Sequence, residues 1–307
     1  SKDGAASDRF GRSVAISGTT AIVGAYVDED NGPSSGSAYL FDTTTGRQLF
    51  KLLPDDGAAG DAFGFSVANS GATAIVGAVG DDDNGNLSGS AYLFDATTGK
   101  QFFKLLPDDG AAGDLFGSSV AISGDIAIVG AYKDDDNGIN SGSAYLFDTT
   151  TGVQLFKLLP NDGAVVDQFG WSVGISGPTA LVGAIRDDDN GINSGSAYLF
   201  DTATGRQITK LLPNDGAQED DFGWSVAISS APGKETAIVG APADDDNGIQ
   251  SGSAYLFDAT APGKCFWDLD GNDDVGVGDL LILLANWGNP YGVGQLLILL
   301  DQWGPCP

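Results

Sequence analysis

Asp114-Leu-Phe-Gly-Ser-Ser-Val-Ala-Ile-Ser123 is followed by Ala127-Ile-Val-Gly-Ala131, Asp134-Asp-Asp-Asn-Gly138, Gly142-Ser-Ala-Tyr-Leu-Phe-Asp148 and Gln154-Leu-Phe-Lys-Leu-Leu-Pro160. This stretch is written five times. Its leading phenylalanine recurs as Phe10, Phe63, Phe116, Phe169 and Phe222, a spacing of 53 residues at every step. A fixed period of this size, with turn residues at constant offsets, is the signature of a repeat architecture. Each copy carries four strand-like segments. In the first, Phe10–Ser17 alternates large and small residues, Ala21–Ala25 is a short apolar run, Ser37–Phe41 is β-rich, and Gln48–Leu53 ends at Pro54. Tight turns, short hairpins and no helical pattern separate them. Pro54 has no amide hydrogen to give a ladder, so it ends the last strand.

Four antiparallel strands per repeat describe a propeller blade. One blade has two apolar faces and cannot bury both alone, so neighbouring copies must cover them. The expected fold is therefore all-β: a five-bladed β-propeller of four-stranded antiparallel blades over residues 1–262, with a small two-helix module at 263–307. A linear β-solenoid is the competing architecture. In the fifth copy Gly263-Lys-Cys-Phe-Trp-Asp-Leu269 aligns with Gly99-Lys-Gln-Phe-Phe-Lys-Leu105, so the fourth strand of that blade overlaps the start of the next module. An unformed fourth strand would leave an edge open to another chain.

Charge narrows the partners. Forty-two acidic residues against 14 basic ones give a net charge of −28. Such a chain is repelled by nucleic acid and by anionic lipid, which excludes both as partners. The longest apolar run, Leu280–Ala285, is too short to insert across a membrane. Divalent cations are the natural counter-charge. There is no histidine and no methionine, which removes the commonest general base and transition-metal ligand. Cys265 and Cys306 bracket the last module, and a disulfide between them would close a loop of about 40 residues, worth on the order of 3–4 kcal/mol. That pairing points to an oxidising, extracellular setting. No leader is legible at the start, which reads as a mature or trimmed form.

Two kinds of acidic loop are candidate Ca²⁺ sites. Between the second and third strands each copy has three carboxylates before Asn-Gly. Their first and third members, Asp28 and Asp30, Asp81 and Asp83, Asp134 and Asp136, Asp187 and Asp189, Asp244 and Asp246, can point the same way. Hard oxygen ligands on a glycine-containing turn suit calcium; a solvated acidic turn is the competing reading. In the last module, Asp268, Asp270, Asn272, Asp274 (through its carbonyl) and Asp279 fall at EF-hand-like positions one, three, five, seven and twelve. The helix expected at Leu280–Trp287 recurs at Leu296–Trp303. Its residues Leu281, Leu284, Trp287, Leu297, Leu300 and Trp303 form a candidate interface.

Phe-Gly-x-Ser-Val-Ala, Val-Gly-Ala and Gly-Ser-Ala-Tyr-Leu-Phe resemble FG-GAP repeats, the blades of integrin-α-type propellers, in the bacterial variety with Asp-Asp-Asp-Asn-Gly inside the repeat. The resemblance covers residues 8–258 and implies adhesion or surface binding. The calcium loop of integrin-type repeats lies between strands one and two, where this chain has only Ser17-Gly-Thr19, so those ligands do not transfer. The cysteine-bracketed last module resembles a dockerin of the kind that ends many secreted planctomycete proteins; its second calcium loop is missing, since Gly288–Gly294 holds no carboxylate.

Three functions follow as expectations. The first is a secreted or cell-surface, calcium-stabilised, non-catalytic adhesion scaffold whose partner is a protein or glycan. The second is a structural subunit that joins copies of itself into a filament through the apolar helices or an open blade edge. The third is a glycosidase, which needs two carboxylates unique to one blade; every acidic cluster here is repeated. Trp171 and Trp224 directly follow Phe-Gly, where other copies have Arg12, Phe65 and Ser118. They are candidates for stacking on a sugar, against a structural role. Asn86-Leu-Ser88 is a lone glycosylation sequon, and Thr-rich tips such as Thr43–Thr45 are places for O-linked sugars.

Overall fold

Each repeat folds as one antiparallel sheet whose strands lie in chain order. A computed structural model of the 307-residue chain describes residues 4–231 and 234–260, together with the backbone of 274–275 and 304–305. The first sheet is β1 (Val14–Ser17), β2 (Thr20–Ala25), β3 (Ser37–Asp42) and β4 (Gln48–Leu52). The second is β5 (Phe63–Ser70), β6 (Thr73–Ala78), β7 (Ser90–Asp95) and β8 (Lys100–Leu105). The third is β9 (Ser119–Ser123), β10 (Ile126–Ala131), β11 (Ser143–Asp148) and β12 (Gln154–Leu158). The fourth is β13 (Phe169–Ser176), β14 (Thr179–Ala184), β15 (Ser196–Asp201) and β16 (Gln207–Leu211). The fifth holds three strands among the described residues, β17 (Ser225–Ala231), β18 (Lys234–Ala241) and β19 (Ser253–Asp258). No helix occurs among the described residues.

Register follows side-chain alternation. Ile22 pairs with Leu40 and Val23 with Tyr39, so Ile22 and Leu40 share one face while Val23 and Tyr39 share the other. The core is accordingly divided among the joints between sheets. In the first joint Ile22, Leu40 and Leu52 meet Phe63, Val76, Tyr92 and Phe94 of the next sheet. The same set recurs as Ile75, Leu93 and Leu105 against Phe116, Val129, Tyr145 and Phe147. It recurs again as Ile128, Leu146 and Leu158 against Phe169, Val182, Tyr198 and Phe200. Burying one such leucine stabilises by about 1.5–3 kcal/mol.

Phe-Gly does more than start a strand, as its alternation alone suggested. In the first, third and fifth repeats it lies before the first strand, so that β1 starts at Val14 and not at Phe10, and in every joint it plugs the preceding sheet. Phe63, Phe116, Phe169 and Phe222 make isolated parallel bridges to Gly36, Gly89, Gly142 and Gly195. Two rings of the plug's own sheet hold each phenylalanine edge-on, as Tyr92 and Phe94 hold Phe63 at 5.5 and 5.7 Å. The approach is so close that a Cβ on Gly77 would lie 2.0 Å from the Gly117 carbonyl oxygen.

The chain divides into two compact units, Ser1–Ser229 with Ala237–Phe257 and Ser230–Thr236 with Asp258–Pro307. In the second, the Glu235 carbonyl accepts from the Ala259 amide at 2.9 Å, and β20 (Asp274–Val275) pairs with β21 (Gly304–Pro305). The expected helices, Cys265 and Cys306, the ligands Asp268, Asp270, Asn272 and Asp279, and the interface residues Leu281, Leu284, Trp287, Leu297, Leu300 and Trp303 lie outside the described residues, as does the Asp274 side chain.

Candidate functional site

The acidic loops are closed upon themselves. In the second repeat the Asp81 carboxylate accepts from the Asp83 amide at 3.1 Å, and its carbonyl accepts from the Ser88 hydroxyl at 3.1 Å. Asp82 accepts from the Leu87 amide at 2.9 Å. These local bonds aim Asp81 inward, where it is 3% exposed. Asp83 turns the same way, as the alternation of the run implied. A third carboxylate, Asp56, comes from the segment leading into the repeat, and the three stand close enough to hold one metal ion.

A lysine ammonium already stands among them. Lys104, on β8, places Nζ 2.6 Å from Asp56, 2.9 Å from Asp81 and 2.6 Å from Asp83. Tyr92 completes the cluster: its hydroxyl donates to Asp81 at 2.8 Å and lies 3.1 Å from Asp56. Its ring faces the ammonium at 5.3 Å, an attractive cation–π geometry. The arrangement recurs with Lys157, Asp109, Asp134 and Asp136 and with Lys210, Asp162, Asp187 and Asp189. In the first repeat Lys51 reaches Asp28 at 3.3 Å and Asp30 at 2.5 Å.

The fifth repeat departs from this pattern. Asp268 aligns with Lys104, so the sequence offers a carboxylate where the other four repeats have an ammonium. Asp244 is 3% exposed and accepts from the Tyr255 hydroxyl at 2.6 Å. Asp246, which has no burial to speak of, is raised above its ordinary value chiefly by the charge of Asp244, with Asp215, Asp220 and Asp245 adding to it.

Sequence reasoning missed the lysines, the tyrosines and the leading aspartates. The signal was present: Lys51, Lys104, Lys157 and Lys210 recur at the same 53-residue period and are four of only 14 basic residues. A second set of missed acids precedes the Phe-Gly of the second to fifth repeats. Asp61, Asp114, Asp167 and Asp220 are buried, and each accepts from the amide three residues before it, as Asp167 does from Ala164 at 2.7 Å. Burial raises all four carboxyls, more than that amide lowers them; Asp167 reaches about 6.

The sign of the pH dependence follows. An acid whose folded pKa lies above its unfolded value favours folding fully below the unfolded value, about 4, and loses that contribution as pH rises through the folded value. The melting temperature is therefore expected to rise when the buffer is moved from pH 7.5 to pH 5 by calorimetry. A fall over that interval would contradict the burial of these four groups.

The second feature is a row of side chains along the repeats, at the position after each Phe-Gly. Arg12 lies over the Phe65 ring at 4.9 Å, and Tyr26 meets that ring edge-on at 5.5 Å. Further along, Tyr132 meets Trp171 at 4.9 Å, and Trp171 meets Trp224 at 5.1 Å. Trp224 is 46% exposed. The two tryptophans singled out from sequence thus lie side by side, and this row is a place where otherwise near-identical repeats differ. Beside it, Arg186, Asn193, Gln218, Asp221 and Gln250 help to line a polar cleft of about 370 Å³.

The FG-GAP repeat family matches residues 1–41, 47–94, 100–147, 153–200 and 206–257. No curated protein matches the chain.

Proposed function

The chain belongs to the FG-GAP repeat family, and from that premise we propose that it is a secreted or cell-surface, non-catalytic adhesion scaffold of β-propeller type that holds a protein or glycan on its aromatic row. The observation that carries this reading is the tilted pair Trp171 and Trp224, ring centroids 5.1 Å apart, with the latter 46% exposed. Aromatic side chains of this kind dominate binding surfaces because they offer large, rigid contact area with a polar edge. The non-catalytic reading is supported by the acidic clusters: four of them are repeated and tied to a lysine, so none stands apart as an acid–base pair.

Calcium belongs to the same proposal. On charge alone its places are the fifth loop, where Asp244 and Asp246 have no lysine beside them among the described residues, and the Asp268–Asp279 stretch read from the sequence. In the first four repeats the ammonium already supplies the positive charge.

A panel of immobilised glycans and cell-surface proteins, read by surface resonance, tests the site. Trp224→Ala is expected to weaken the bound partner by about 30-fold, the effect of losing one aromatic anchor, with the melting temperature nearly unchanged. Unaltered binding by a Trp171→Ala/Trp224→Ala double variant would remove the row from the function.

A further inference from the structure

The two ends of the stack carry the two halves of a joint that is used four times inside it. On the first sheet the face that should meet a preceding repeat is open: Phe10 is 43%, Val14 66% and Ile16 68% exposed. Their counterparts Phe63 and Phe116 are fully buried, Val67 is 6% exposed and Ile122 is 9% exposed. On the fifth sheet the opposite face is open. Ile238 is 42% and Leu256 72% exposed, whereas Ile22 and Leu40, at the same places in the first sheet, are at 0%.

Backbone shape says the same. In the inner joints a Cβ on Gly24, Gly77, Gly130 or Gly183 would strike the carbonyl oxygen of the incoming Phe-Gly at 2.0–2.2 Å. Gly240 occupies that place in the fifth sheet, and among the described residues only Ser225 lies near it. A Cβ on Gly36 would lie 2.0 Å from the Phe63 carbonyl oxygen, but one on its counterpart Gly252 would have, among the described residues, nothing nearer than Pro242, at 3.2 Å. The socket already has its docked conformation, with φ of +73° at Gly252 against +83° at Gly36. The plug is preformed too: Arg9 and Gly11 have φ of +54° and +91°, against +56° and +90° at Ala62 and Gly64 in the docked second repeat. The open socket also presents the Ile249, Gln250 and Ser251 carbonyls. Their counterparts in the fourth repeat, those of Ile192, Asn193 and Ser194, accept from the Glu219, Asp221 and Phe222 amides at 2.9–3.3 Å.

We propose that the fifth sheet of one molecule receives the Phe10-Gly11 plug of a second copy, regenerating the inner joint between chains. The occupant is a second copy because the missing half of each open face is present, in matching conformation, at the other end of the same molecule. Repeat arrays usually end in polar caps; among the described residues the first and fifth sheets present exposed apolar faces instead. The contact is head-to-tail, so it propagates into an open filament or closes into a ring according to the rotation between copies. A regenerated joint would also set Arg12 of the second copy beside Trp224, as Arg12 lies over Phe65 and Trp171 meets Trp224 inside the stack. The contact needs no ligand, and Gly240→Ala and Ile16→Asp leave the row's side chains in place, so its failure is distinguishable from that of the proposed binding function.

Two single variants separate the ends. Gly240→Ala adds a methyl group where only the movable Ser225 hydroxyl is near, and Ile16→Asp places a charge on an exposed position. Sedimentation of the full chain over a concentration series should show wild type growing into dimers and longer species. Each variant alone should associate about 100-fold more weakly, with an unchanged melting temperature. Mixed together, they should form a heterodimer that grows no further, because Gly240→Ala retains a working plug and Ile16→Asp a working socket. A wild-type chain that stays monomeric at all concentrations overturns the proposal, whether its own first sheet or residues 261–307 fill the socket. Equally fatal would be variants that assemble like wild type, or a mixture that gives no heterodimer.

Discussion

Gly77→Val is expected to abolish cooperative folding of the stack, or to lower its stability by about 3 kcal/mol or more. A Cβ at this glycine would stand 2.0 Å from the Gly117 carbonyl oxygen and 2.4 Å from the Ser66 hydroxyl. The hydroxyl can turn away. The carbonyl belongs to the plug of the third repeat and moves only if the whole joint opens. Overpacking of a tight interior costs about 1–3 kcal/mol when side chains can adjust, and here the obstacle is backbone. Urea unfolding followed by circular dichroism measures the loss. The decisive contrast is Gly240→Ala, the same position in the fifth sheet, where stability should hardly change. Equal stability of Gly77→Val and wild type would mean that the sheets do not meet as described.

Lys104→Ala should be the second severe change, for an electrostatic reason. It leaves Asp56, Asp81 and Asp83 facing one another with no positive charge between them. Breaking a buried ion pair by removing one partner costs about 3–5 kcal/mol. Asp56 and Asp83 are 46% and 51% exposed at their side chains, so water softens their repulsion and about 2 kcal/mol is the expected loss. Adding Asp81→Asn should restore part of it. Burial pushes the Asp81 carboxyl up, but Lys104, the Asp83 amide, Ser90 and Tyr92 outweigh it and hold it below the usual range. Burial likewise lowers Lys104, while its bonds to Asp56, Asp83 and Asp81 raise it well above an ordinary lysine.

The sign of the linkage is therefore fixed on both sides. The contribution of Asp81 is present above its unfolded value, near pH 4, and is lost as pH falls through its lower folded value; that of Lys104 is present below about pH 10 and lost above its folded value. The difference between wild type and Lys104→Ala should thus be level at neutral pH and shrink in strong acid. The variant should also gain thermal stability from added calcium, since three converging carboxylates without an ammonium suit a hard cation. A variant as stable as wild type, at every pH and without calcium, would deny the lysine its place in the cluster.

How far the sequence could be read depended on where the information lay. The sheets were legible because alternation and turn residues act locally: Ala21–Ala25 and Ser37–Phe41 lie within β2 and β3. That Asp81 and Asp83 could point the same way was also read from their spacing in a short loop. The lysine between them was not, because Lys104 lies 23 residues after Asp81 and reaches it only through the pairing of β7 with β8, which sets Tyr92 opposite Lys104. The plugging role of Phe-Gly was hidden for a similar reason. A strand and a plug share the same alternation, and only the bridge from Phe63 to Gly36 of the preceding sheet tells them apart.

The sameness of the joints has a consequence for how such a chain changes over generations. Every inner boundary uses the same glycine, the same carbonyl and the same ring at a 53-residue interval. Unequal recombination that removes or duplicates one whole period therefore joins two surfaces that already fit. Length can drift by whole repeats without a new interface having to arise, and selection on copy number acts on reach and valency alone.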